Sequence, residues 1–200
     1  MSRGVAATTA FFHGNLQRFP SSAASHYNLG CLYSTQGRLD LAVFHFRKAI
    51  HWNPSSSKAH ADLASILLKL GETTEAKALC ERAIALDKRN ANAYNTLGSV
   101  LARKNDANNA LKMIEQAIWL NPNSAMFHRN AAELFRTMSR MPEAIQHLRR
   151  AAALDPGHIG TLEKLQVCLV GQGGAAKKEA VELCVRTRRM RRGGRGAFGR

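Results

Sequence analysis

An all-α solenoid of stacked helix–turn–helix units is the fold this sequence predicts, and three observations predict it. Ala49, Ala83, Ala117 and Ala151 stand 34 residues apart, and Ala42, Ala76, Ala110 and Ala144 keep the same interval with no insertion. The stretch RKAIHWNPSS at 47–56 returns as EQAIWLNPNS at 115–124, with ERAIALDKRN at 81–90 and RRAAALDPGH at 149–158 as looser copies. Apolar residues fall at helical spacing on both sides of a short turn in each period. A fixed interval of roughly 20–50 residues marks units that stack on their neighbours instead of folding round one centre.

Counted from Ala23, Ser57, Ala91 and Ala125, the units are 23–56, 57–90, 91–124 and 125–158. Their positions 4, 7, 8 and 11 read His26-Leu29-Gly30-Tyr33, His60-Leu63-Ala64-Leu67, Tyr94-Leu97-Gly98-Leu101 and His128-Ala131-Ala132-Phe135. That is the i, i+3, i+4, i+7 stripe of an amphipathic helix. A second stripe follows at positions 20, 24 and 27: Ala42-Phe46-Ala49, Ala76-Cys80-Ala83, Ala110-Ile114-Ala117 and Ala144-Leu148-Ala151.

Gly37, Gly71, Asn105 and Ser139 fall between the stripes, where the chain must turn after a helix. Pro54, Pro122 and Pro156 stop the second helix, and the second unit has Lys88 there instead. Small residues at positions 8, 20 and 27 let the two backbones of a pair approach closely.

These positions together resemble the tetratricopeptide repeat, whose pattern sets an aromatic residue, Leu, Gly and Tyr in the first helix and Ala, Phe, Ala and Pro in the second. The resemblance implies a right-handed superhelical solenoid acting as a protein-interaction module. His26, His60 and His128 take the place of the usual aromatic. Neighbouring units lie about a helix diameter apart, roughly 10 Å, too far for such histidines to share an ion, so they are read as structural. A fifth unit is degenerate: Leu162, Leu165 and Leu169 keep position, Gly173 falls at the turn, and Ala180 arrives two residues late. Residues 159–190 are read as this capping unit.

In the family the first helices line a groove, faced by positions 2, 5, 6, 9, 12 and 13. Here the resemblance puts Tyr27, Asn28, Lys58, Asp62, Asn95, Arg103, Arg129, Asn130 and Arg136 on that face, with Cys31, Ser65, Lys69, Asn92, Thr96, Ser99 and Glu133 beside them. Asn can pair with any peptide backbone and Arg can hold a carboxylate, so an extended, acid-bearing protein segment is the expected ligand. The alternative is a solvated polar face. The family's carboxylate clamp for chaperone tails is not reproduced, since only Asn28 of its residues survives.

The formal net charge is +15, and it is uneven. The last fifteen residues, RTRRMRRGGRGAFGR, hold Arg186, Arg188, Arg189, Arg191, Arg192, Arg195 and Arg200 and no acid. Residues 191–200 are expected as a flexible basic tail resembling Arg/Gly-rich segments, able to contact RNA or an acidic protein surface. Residues 1–22 contain no acid and are expected as a flexible leader, an organelle transit segment or an incomplete packing helix.

The four cysteines show no CxxC spacing and read as inert thiols in a reducing, intracellular and cytoplasmic setting. No apolar run reaches the ~18 residues of a membrane span. Neither a phosphate-binding loop, a nucleophile elbow nor a metal-ligand cluster is present, so no catalysis, cofactor or metal is expected; GQGG at 171–174 is a turn. The leading expectation is a non-enzymatic scaffold or adaptor within a larger assembly. Its rival is an RNA-associated component of a ribonucleoprotein, anchored by the C-terminal arginines.

Overall fold

The computed structural model describes residues 3–172 and 174–196, and every regular element among them is an α-helix. The chain divides into two compact units, 1–120 and 121–200. The first holds α1 (Arg3–Arg18), α2 (Ala23–Thr35), α3 (Leu39–Trp52), α4 (Ser57–Leu70), α5 (Thr73–Leu86), α6 (Ala91–Arg103) and α7 (Ala107–Leu120). In it α2 pairs with α3, α4 with α5 and α6 with α7, while α3 packs on α4, α5 on α6, α4 against α6 and α1 against α2. The second holds α8 (Ala125–Thr137), α9 (Met141–Leu154), α10 (Ile159–Val170) and α11 (Ala175–Gly196), each packed on the next.

Helix starts are set by caps at the repeat interval. Ser22, Ser56 and Asn90 accept the backbone N–H of Ser25, Ala59 and Ala93, satisfying one of the orphan donors of a first turn. His158, one interval past Ser124, does the same with a ring nitrogen toward the Thr161 N–H at 3.1 Å. The turns inside the pairs all take positive φ: 73° at Gly37, 92° at Gly71, and 60° at both Asn105 and Ser139. Ser139 bears a left-handed conformation that disfavours a β-carbon, and Ser139→Gly is expected to stabilise the chain by about 0.5–1 kcal/mol. A urea midpoint that does not rise would contradict this. Gly173 lies outside the described residues; Gly174 beside it has φ 66°.

Inside the pairs, positions 8 and 24 lie together. Gly30 faces the Phe46 ring and Gly98 faces Ile114. The larger Ala64 shares its cluster with the smaller Cys80, and Ala132 shares one with Leu148. In the first unit Leu29, Phe46, Leu63, Leu67 and Val100 form one continuous core. In the second, Ile145, Leu148, Leu165 and Leu169 do so.

Residues 3–18, within the stretch read as a leader, transit segment or packing helix, and residues 191–196, within the expected tail, are helical. Phe12 and Pro20 lie 34 residues before Phe46 and Pro54, and α1 ends at Arg18, the same interval before Trp52 at the end of α3. Helix α1 therefore occupies the place of a second helix ahead of α2. Its Asn15 Nδ2 donates to Ser25 Oγ at 2.5 Å, and His13 Nε2 lies 2.8 Å from the Tyr33 hydroxyl. At the other end α11 runs for 22 residues against 14 for α9, continuing through Arg191 to Gly196. Arg186 donates to the Pro156 carbonyl at 3.0 Å and Arg191 to the Glu163 carboxylate, which tie the helix to the rest of its unit despite its glycines. The side chains of Arg192 and Arg195, and the whole of Arg200, lie outside the described residues.

Candidate functional site: the face of the first helices

In the unit of residues 1–120, the face begins at α2. The Tyr27 hydroxyl donates to Asp62 Oδ2 of α4 at 2.7 Å. Two expected ligand-binding residues thus bind each other, fixing α2 to α4. Burial raises the Asp62 carboxyl pKa, opposed by the Tyr27 bond and the Lys58 ammonium; burial and then Asp62 raise that of Tyr27. The Cys31 thiol beside them is also pushed up by burial.

Lys58, Asp62, Ser65 and Lys69 occupy one stripe of α4 at spacings of four, three and four. At 1.5 Å per residue the two exposed lysines stand about 16 Å apart along the helix. On α6, Arg103 Nη1 donates to the Leu68 carbonyl at 2.6 Å, capping the end of α4 while its guanidinium stays exposed beside Lys69. Asn28 is half-buried on α2; Asn95 is buried and already engaged within the chain. A cavity of about 190 Å³ opens next to Lys58, lined by Tyr27, Ala49, Asn53 and Ser56. Asn53 and Ser56 recur with the 34-residue interval but lie between helices, so the helical stripes alone do not assign them to this face.

Two family models match the sequence: one described as tetratricopeptide repeat, over residues 33–99, and one as anaphase-promoting complex, cyclosome, subunit 3, over 72–151. The chain belongs to the tetratricopeptide-repeat family. No curated protein sequence matches it significantly. Among solved structures, MamA is 20% identical, with 89% of this chain and 96% of that one covered at a TM-score of 0.64. YrrB, described as a TPR protein with an unusual peptide-binding site, is 20% identical over 90% of this chain and 91% of its own, TM-score 0.57. The anaphase-promoting hetero-tetramer Cut9–Hcn1 gives 15% identity and a TM-score of 0.80, covering 90% of this chain but 37% of that chain. At these identities the likeness is one of fold.

In the second unit of this tetratricopeptide-repeat chain, the corresponding residues on α8 are also partly spoken for. Arg129 Nη1 lies 3.3 Å from Asp155 Oδ2. Glu133 takes Arg136 at 2.5 Å and Lys164 of α10 at 2.9 Å, and these two cations hold its carboxyl below the usual range. Asn130 is half-buried and engaged. Lys164 is an addition to the sequence-derived set, from the degenerate fifth unit.

A different polar grouping lies inside two helix pairs. His26 Nδ1 and His45 Nδ1 are 3.0 Å apart, and His26 Nε2 is 3.2 Å from the Pro20 carbonyl. The same arrangement recurs 102 residues later: His128 and His147 at 3.0 Å, with Pro122 at 3.1 Å. A carbonyl only accepts, so His26 Nε2 carries the proton, its Nδ1 is bare, and His45 Nδ1 donates to it. The ring centres are 5.3 Å apart, which places the two nitrogens head-on, as in N–H···N, and not bent round an ion. Tyr33 and Phe135 stack on His45 and His147, with Arg38 and Arg140 over their other faces.

Among the described residues there is no group of three or more potential metal ligands and no helix long and apolar enough to cross a membrane. Four free cysteines are present, and burial pushes the Cys80 thiol up to about 12.

Proposed function

We propose that this chain is a non-enzymatic scaffold subunit that binds an extended, acid-bearing segment of a partner protein across α2, α4 and α6. The observation that carries the reading is the Lys58–Lys69 stripe with Arg103 beside it. Those cations are exposed, whereas the one acid among them, Asp62, is held by Tyr27. A ligand carboxylate would meet cations at both ends of α4 and a hydrogen-bonded acid in the middle. The tetratricopeptide-repeat family is generally a non-catalytic interaction module, and YrrB is described with a peptide-binding site. The thiols, free and raised in pKa where buried, fit a reducing intracellular compartment.

Peptide-display selection against the full chain tests this. Selected peptides are expected to be rich in Asp and Glu, and Lys58→Glu with Lys69→Glu should weaken them by about tenfold or more. Selection of acid-free peptides, or indifference to the charge reversal, would overturn it. The RNA reading has less support, because Arg186 and Arg191 are engaged with Pro156 and Glu163. Truncation before Arg186 is no clean test of it, since the cut falls inside α11 and removes buried Thr187. A steep salt dependence of RNA binding, lost in Arg188→Ala/Arg189→Ala, would instead favour it.

A further inference from the structure

Helices α10 and α11 end the second unit with an apolar face that earlier helices keep covered. Aligning Ala180 with Ala144 puts Val181 where α9 has Ile145. Ile145 is 3% exposed, packed with Leu165 and Leu169 of α10; Val181 is 60% exposed. The same holds on the first helix. Val170 lies 102 residues after Leu68, which is partly buried against the core that includes Leu97 and Val100 of α6, yet Val170 is 63% exposed. Val167 and Val185 add to this face, the former 74% exposed. Val170 and Val181 thus stand where earlier helices carry covered apolar residues, while at the registers of Val167 and Val185 those helices carry Ser65 and Arg149, so the apolar face is wider here than inside the stack.

Charge distinguishes this face from an ordinary stacking surface. Arg188 stands where α3 and α5 have Ile50 and Ile84. Lys178, Arg188 and Arg189 are exposed on the same helices as the valines, whereas Lys164 is already paired with Glu133. The nearby acids are largely used: Glu163 by Arg191 and Glu179 by Arg149, with Glu182 left exposed. A second copy of the chain, formally +15, would bring more cations to a cationic rim.

We propose that the α10–α11 face binds an acidic amphipathic helix of a partner protein, seated in the place the next first helix of the stack would take. Its apolar stripe would cover Val167, Val170, Val181 and Val185, and its acidic flanks would meet Arg188 and Arg189. This site is separate from the face of α2, α4 and α6, and stands or falls independently of it.

The test uses the full chain and two synthetic probes: a stapled 16-mer helix with leucines on one face and glutamates elsewhere, and a stapled 16-mer of the same composition with the leucines dispersed. The amphipathic probe is expected to bind at least about tenfold more tightly than the dispersed one. Val167→Ser/Val181→Ser and, separately, Arg188→Glu/Arg189→Glu should each weaken it by about tenfold. The substituted residues are exposed, and unchanged melting curves would confirm intact folding. Equal binding of the two probes, or none, overturns the proposal. So does loss on arginine reversal with no effect of the serine pair, which is the response of a charge-only surface such as nucleic acid would use. A chain that sediments as a dimer and becomes monomeric in the serine variant overturns it in favour of a second copy.

Discussion

Gly30→Ala is expected to destabilise the chain by about 1–3 kcal/mol, read as a lower urea midpoint at unchanged slope. The direction is informative because alanine is the better helix former by about 1 kcal/mol. A β-carbon at Gly30 would lie 2.7 Å from two ring carbons of Phe46 and 3.0 Å from a third. That ring is buried, and Tyr27 sits against it at 5.8 Å between centres, so it has little room to withdraw. Either the ring leaves its rotamer or α2 and α3 move apart, and both lose packing. Phe46→Leu, which brings the pair closer to Ala132 and Leu148 of the fourth unit, should relieve the clash. The double variant is then expected to be more stable than the sum of the single effects by about 1 kcal/mol or more. Strict additivity would mean that Gly30 is not there to admit Phe46.

Most of this packing is legible from sequence, because a 34-residue interval fixes which side chains share a helix face before any coordinates exist. Gly30 opposite Phe46 and Gly98 opposite Ile114 follow from positions 8 and 24. For residues 1–22 a packing helix stood beside a flexible leader and a transit segment: Phe12 and Pro20 are in register, but Thr8 and Asn15 stand where the pattern wants alanine, which left the alternatives open. The proposed binding face was less legible. The family resemblance assigns Tyr27 and Asp62 to it, yet their bond depends on how α2 and α4 are placed, which no single-helix period encodes. The extent of α11 was obscured by Gly193, Gly194 and Gly196, residues that weaken a helix by propensity but do not forbid it. The histidine pairs are invisible to the repeat interval, which relates position 4 to position 4 of other units, whereas its partner is position 23 of the same unit.

Those pairs carry a definite dependence on pH. Burial lowers the pKa of His26, His45, His128 and His147; for His45, where His26 and His13 also contribute, it falls to about 4. The groups facing them act in both directions: the Pro20 and Pro122 carbonyls favour the protonated rings, while Lys48 and Arg150 disfavour them. Above the unfolded value of 6.5 both states hold neutral rings and the full stability is present. As the pH drops below that value the unfolded chain takes up protons that the folded pair refuses, so stability falls until the folded pKa is reached. His45 alone should account for about 1–3 kcal/mol of this loss. Glu133 and Glu143, whose pKa values are lowered, add to the loss only at still lower pH, and Asp62, whose pKa is raised, works against it. The variant His26→Tyr/His45→Met copies Tyr94 and Met113 of the third unit and removes one pair while filling its space. Urea unfolding from pH 7.5 to 4.5 should show a shallower acid decline in this variant than in the unsubstituted chain. Parallel declines would mean that the two rings titrate normally in the fold, which their head-on contact and burial argue against.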